Sequence, residues 1–201
     1  MRITRTRTPF IAVSAALTLG LAACSSNDPS TVSVPQSAAS ASATEAVVAQ
    51  HNDADVTFIK DMTPHHVSAL AMAQLDPTRA ENAEVKALAA RIVSEQDPEL
   101  NRMKEMATAW GVSLDAPAPM SSGSGMSMDM GGDEATLTPL KGAAFDKAFL
   151  ELMTAHHQGA LPMAQAQLDG GENPQAKVLA EAIIKAQTAE IAEMKQLLAQ
   201  L

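Results

Sequence analysis

The chain has 201 residues with 14 basic and 23 acidic side chains, a net charge of −9. Such a balance repels nucleic acid, and no basic cluster offsets it. Four Phe, one Trp and no Tyr leave little aromatic surface for stacking on bases or sugars, and one cysteine rules out an internal disulfide.

Residues 1–23 read as an export signal. Arg2, Arg5 and Arg7 form a positive start, followed by the apolar FIAVSAALTLGLAA. That stretch is of secretory length and falls short of the about 20 apolar residues a membrane span needs. It ends in LAAC, Leu21 to Cys24, which resembles the lipobox of bacterial lipoproteins. The resemblance implies cleavage before Cys24, diacylation of its sulfur, and a protein anchored to the outer face of the cytoplasmic membrane or held in a periplasm. Without the three arginines, 11 basic residues face 23 acidic ones. Residues 25–44 are Ser/Ala/Pro-rich without a hydrophobic period, so residues 24–44 form the lipidated cysteine and a flexible tether with a reach of about 25 Å.

The remainder, residues 45–201, contains two alanine-rich helical blocks, 53–110 and 140–201, around a Met-rich linker at 112–138. The blocks are copies. A shift of 91 residues aligns 55–106 with 146–197 without a gap, and 21 of the 52 positions are identical. Each block holds two helical segments around a breaker, LDPTRAEN in the first and LDGGENP in the second. Phe58, Met62, Ala69 and Ala73 recur at helical spacing on the first segment, as do Val85, Leu88, Ile92, Met103 and Met106 on the second. A single hairpin has nothing to bury that face against. Two hairpins facing each other do, so the expected fold is an all-α four-helix bundle made of two duplicated hairpins. The linker length leaves open whether the halves join up-down or by a long crossover.

The repeat concentrates one kind of chemistry. MTPHHVSALAMAQ at 62–74 returns as MTAHHQGALPMAQ at 153–165, and the two copies hold four of the five histidines. On a helical wheel His65 and His66 share an arc of roughly 120° with Phe58, Met62, Ala69, Met72 and Ala73. They therefore point inward, where an imidazole needs a partner. On the second helix of each unit Gln96 and Glu99, and likewise Gln187 and Glu190, interrupt the inward stripe set by Ile92 and Met103 or by Ile183 and Met194. A lone inward histidine is ordinarily a hydrogen-bonded core residue, and methionines at helical spacing are ordinary packing. Four buried histidines are another matter, because an apolar core gains nothing from them.

As metal ligands, neutral imidazoles suit copper, zinc, iron and nickel, whereas thioethers favour Cu(I). Zinc sites do not use methionine, and a di-iron bundle needs a Glu-x-x-His motif absent from both pairs. Copper, as Cu(I) and also Cu(II), fits the mixed His/Met set best. The linker adds Met120, Met126, Met128 and Met130 within a Gly/Ser-rich stretch, which resembles the methionine motifs of extracytoplasmic copper transporters and chaperones.

The pattern D-x-x-F-[IL]-x-x-M-T-x-H-H-x-x-A-L-x-M-A, present at 55–73 and 146–164, resembles the family known as domain of unknown function 305, DUF305. The resemblance implies a ferritin-like four-helix bundle, export, and copper binding of the CopM-like kind. Carried over by position, the ligands would be Met62, His65, His66 and Met72, with Met153, His156, His157 and Met163. Gln96, Glu99, Met103, Gln187, Glu190, Met194 and the four linker methionines would support them or add further ligands. Pro64 and Pro162 depart from regular helix inside the motif. The expected function is copper buffering, transfer or tolerance outside the cytoplasm, with the metal ion, the membrane and a copper-handling protein as partners. No nucleophile motif, phosphate loop or cofactor fingerprint marks an enzyme. The alternatives are a metal-dependent oxidase of the ferritin-like class, and a metal-free surface protein whose histidines switch between about pH 5 and 8.

Overall fold

A computed structural model describes residues 46–114 and 132–201. The export signal, Cys24, the tether and the four linker methionines lie outside the described residues. Among the described residues five helices follow one another: α1 (Asp53–Arg79), α2 (Ala83–Trp110), α3 (Gly132–Leu137), α4 (Ala143–Gly170) and α5 (Pro174–Leu198). There is no strand among the described residues.

Helix starts follow from capping chemistry. Asn82 and Asn173, at equivalent repeat positions, cap α2 and α5 by accepting from the backbone N–H groups of Glu84 and Val85, and of Gln175 and Ala176. Gly111, at φ 68°, closes α2 in the left-handed conformation that glycine adopts without a Cβ penalty. Pro64, Pro77, Pro98 and Pro162 lie inside helices, all on exposed positions. A proline there forfeits one backbone bond on the wet side, where water replaces it, and the helices run on. The break expected at LDPTRAEN is accordingly later than its composition suggests, since α1 continues through Pro77 to Arg79.

Two end-to-end contacts fix the topology. The Gly142 N–H donates to the Arg79 carbonyl at 2.8 Å, and Asn52 Nδ2 donates to the Gly170 carbonyl at 2.8 Å. The end of α1 thus meets the start of α4, and the reverse, so α1 and α4 are antiparallel. Because each hairpin is also antiparallel, α2 and α4 run the same way. The end of α2 and the start of α4 therefore lie at opposite ends of the bundle, about 40 Å apart for helices of this length. This is the long crossover, the alternative that sequence left open. The linker assigned to 112–138 needs one correction. Its last residues form α3, which packs on α1 and α4, and Leu137 is fully buried there. One leucine after a Gly/Ser/Met-rich run carries too little periodicity to show this.

The core has two apolar clusters. One contains Met72, Ile92, Phe145, Phe149, Met153 and Met194, and the other Phe58, Met62, Met103, Met106 and Ile183. Each draws on both hairpins. Full burial of a side chain such as Phe149 contributes about 1.5–3 kcal/mol, so neither hairpin retains its core without the other.

Buried polar groups also tie the halves together. The Asp55 carboxylate accepts from the N–H groups of Glu172 (3.1 Å) and Asn173 (3.1 Å to Oδ2) and from the Gln167 side chain. Its repeat counterpart Asp146 accepts from Glu81 (3.1 Å) and Asn82 (2.8 Å). Each aspartate, near the start of one hairpin, thus latches the interhelical turn of the other. Gly171 leaves room for this contact, since a Cβ there would collide with the Gln167 amide and lie 2.7 Å from Asp55 Oδ1. Asp55→Ala orphans several buried N–H groups, and we expect a loss of about 3 kcal/mol in urea unfolding. A loss below about 1 kcal/mol would show the latch to be incidental.

At one end, residues 46–52 are pinned across the bundle. Trp110 Nε1 donates to the Val48 carbonyl at 3.0 Å, and Asn173 Nδ2 reaches the Val48 and Gln50 carbonyls. The fifth histidine, His51, stacks on Trp110 with ring centroids 4.6 Å apart.

Candidate metal centre

Midway along the bundle, between the two apolar clusters, lies a polar layer. Its centre is the pair His65 and His156, whose ring centroids are 3.7 Å apart at an interplanar angle of 42°. The antiparallel crossing of α1 and α4 brings these equivalent residues together. A pseudo-twofold axis passes between them. Outside the pair, His66 Nε2 meets Glu99 Oε2 at 2.9 Å, and His157 Nε2 meets Glu190 Oε2 at 2.8 Å. Gln96 and Gln187, one turn from those glutamates, are 2% exposed, and all four histidines are 3% exposed or less.

The histidine–glutamate pairs set a tautomer. Facing a carboxylate, Nε2 of His66 and of His157 donates, which leaves Nδ1 of each as the ring nitrogen without a hydrogen-bond partner. A carboxylate behind an imidazole is also the arrangement that orients a metal-binding histidine and raises its basicity.

His65 and His156 are held neutral. Burial, followed by the neighbouring imidazoles, pushes His65 down to about 3 and His156 down to about 2. A neutral imidazole is the form that binds metal.

The layer also collects most of the unmet hydrogen-bonding capacity of the described residues. Of thirteen buried side-chain N and O atoms without a partner, eleven belong to His65, His66, Gln96, His156, His157, Gln187 and Glu190. Each such atom costs about 1–3 kcal/mol. Their concentration in one layer marks it as the place where a bound ion or ordered water would find partners.

The methionines of the motif divide. Met62 and Met153 precede the histidines by three residues, and Met103 and Met194 stand one turn after Glu99 and Glu190 on α2 and α5; all four are fully buried in the clusters on the two sides of the layer. The Thr63 hydroxyl lies 3.8 Å from Met103 Sδ. Met72 and Met163 stand seven residues beyond His65 and His156, about 10 Å along the axis. They join the clusters that contain Phe149 and Phe58, Met72 fully buried and Met163 partly. Among the described residues, no group of three His, Cys, Asp or Glu side chains is arranged to hold an ion. His66 and His157 are turned toward their glutamates, and His65 and His156 toward each other.

Sequence reading missed Asp55 and Asp146 as latches, although they open the repeated motif. It also missed Glu95 and Glu193, which stand outside Glu99 and Glu190 on α2 and α5. Glu193 pairs with Arg91 across the two helices. Burial, followed by the charge of Glu190, pushes the Glu95 carboxyl up.

The family profile of DUF305, a domain of unknown function, matches residues 55–198. The chain belongs to the DUF305 family. Solved structures agree with this DUF305 bundle along most of their length. A DUF305 fragment from Deinococcus radiodurans is 31% identical, with a TM-score of 0.66, covering 75% of this chain and 98% of that one. CopM in its Cu(II)-bound form is 36% identical, with a TM-score of 0.62, covering 73% and 96%. CopM in its Cu(I)-bound form gives 35%, 0.59, 73% and 96%. No functionally curated protein matches the chain.

Proposed function

We propose that this DUF305 bundle binds copper in the histidine layer and buffers or hands on the ion outside the cytoplasm. The observation that carries the reading is the convergence of unpartnered buried polar atoms from four helices on one level, with His65 and His156 held neutral at its centre. Similarity to CopM, solved with Cu(I) and with Cu(II), supports copper as the metal. The ligands would be His65 and His156 together with Nδ1 of His66 and His157. Met62, Met103, Met153 and Met194 flank them with thioethers, and Glu99 and Glu190 hold the outer rings. Imidazole serves either copper oxidation state, while thioether favours Cu(I). Capture requires the central rings to part or a thioether to turn inward. The export signal and the lipobox at Cys24 support placement outside the cytoplasm on a lipid anchor.

A metal-dependent oxidase would need an open coordination position and turnover, which oxygen consumption with excess Cu(I) measures. A histidine switch within the folded state would need rings that change charge between about pH 5 and 8, and His65 and His156 stay neutral there as long as the bundle is folded.

The test is competition with a Cu(I) chelator, with Zn(II) as the comparison metal. Changing His65, His66, His156 and His157 to Ala should weaken copper retention more than about a hundredfold, beyond what loss of supporting groups alone causes. Circular dichroism would confirm that the variant keeps its helices. Equal copper retention by a folded variant would refute the site.

A further inference from the structure

A buried layer raises the question of how an ion reaches it. Three of the four seams of the bundle, α1–α2, α4–α5 and α1–α4, are closely packed, whereas α2 and α5 touch least. On the outside of this seam, toward the end of the bundle, Glu84 and Ala87 of α2 and Ala189, Ala192, Glu193 and Gln196 of α5 line an open groove of about 640 Å³, whose lining includes Glu193 but not Glu95, Glu99 or Glu190.

Carboxylates line this seam from the outside in. Glu99 and Glu190, bonded to His66 and His157, are 16% and 5% exposed at their side chains, against 0% for their histidines. Glu95 lies one turn before Glu99, and Glu193 three residues after Glu190, spacings that put each pair on one helix face. Glu193 is 40% exposed at its side chain and holds Arg91 across the seam. Behind the acids stand buried groups with nothing to bind. Glu190 Oε1 and both amide ends of Gln96 and Gln187 are unpartnered, in residues 4% exposed or less.

The outer acids are not a by-product of duplication. Glu99 and Glu190 are repeat counterparts, but Glu95 is matched by Ala186, Glu193 by Arg102, and Arg91 by Ala182. One entrance is therefore acidic on top of a symmetric interior.

We propose that the α2–α5 seam is the route by which a cation enters the histidine layer, with Glu95 and Glu193 as its rim and Arg91 as the counter-cation the ion displaces. This rests on the copper-site reading above. Carboxylates repelling one another at helical spacing and across a seam cost stability, and an arriving cation relieves that cost. Low-dielectric walls focus their field and raise the rate of cation capture.

The experiment mixes metal-free full-length protein with aqueous Cu(II) in stopped flow, using emission of Trp110, the single tryptophan. Bound copper is then counted after desalting. The E95Q/E193Q variant should take up Cu(II) about tenfold more slowly at low ionic strength, with the difference fading in high salt and the bound stoichiometry intact. A control with the same charge change on exposed positions of α4, E151Q/D169N, should behave as the unaltered protein. E95Q/E193Q binding as fast as the control would overturn the route while leaving the site standing. A lost equivalent of copper would make the rim carboxylates ligands and also overturn it. Failure of the unaltered protein to bind any copper would instead remove the site reading itself.

Discussion

Residues 45–112 expressed alone should be poorly helical at low concentration, or should self-associate, with no cooperative melt as a monomer. Each apolar cluster mixes residues of both hairpins, so separating them strips one side from Phe58, Met62 and Ile92 together. A hairpin of this size buries too little to offset its chain entropy. It also loses the Asp146 carboxylate that satisfies the Glu81 and Asn82 N–H groups. Circular dichroism and sedimentation over a range of concentrations measure both effects. A monomeric fragment with a cooperative transition would contradict the shared core.

The metal-free protein should lose stability steeply as pH falls below 6.5. In the unfolded chain His65 and His156 take up protons near pH 6.5, while in the fold they resist until about pH 3 and about pH 2. Below 6.5 the unfolded state therefore binds more protons, and acid favours it. Each histidine contributes up to about 1.4 kcal/mol per pH unit once the unfolded form is protonated, so the two together remove about 3 kcal/mol between pH 6.5 and 5. That is a large part of the 5–15 kcal/mol typical of a domain. Asp55 works in the same direction but later. Burial alone would raise its carboxyl, yet the bonds from Gln167, Asn52, Glu172 and Asn173 outweigh burial and hold it below 3.8, so its contribution is lost only as pH falls through that lower range. Thermal melts from pH 5 to 8 measure the slope. Replacing His65 and His156 by Leu should raise the midpoint and flatten the profile. A pH-independent midpoint between 5 and 7 would show that the central rings are not desolvated as described.

The sequence made legible those features that depend on angle around a helix. His65 and His66 lie inward because the wheel places them with Phe58 and Met62, and the all-helical duplicated bundle follows from that periodicity. Glu99 and Glu190 were visible as polar interruptions of an apolar stripe. Height along the axis was harder to read. Met72 shares His65's direction but stands two turns away, so one wheel position covers both a candidate ligand and a packing residue. The Asp55 and Asp146 latches depend on how the hairpins run relative to each other, which no local pattern encodes. Pro77 looked like a terminator because composition does not show which side of the helix is wet.

The reciprocal aspartate latches have a further consequence. An interface in which residue i of one unit holds residue j of the other, and j's unit returns the contact, is the self-complementary kind that two identical chains form around a twofold axis. The crossover from 111 to 142 converts such a pairing into an event within one molecule. Two free hairpins would separate on dilution, with a midpoint set by protein concentration. Joined, each meets its partner at an effective concentration on the order of millimolar, whatever the abundance of the protein. A site assembled from both halves then remains assembled in a compartment where copies of the chain are scarce.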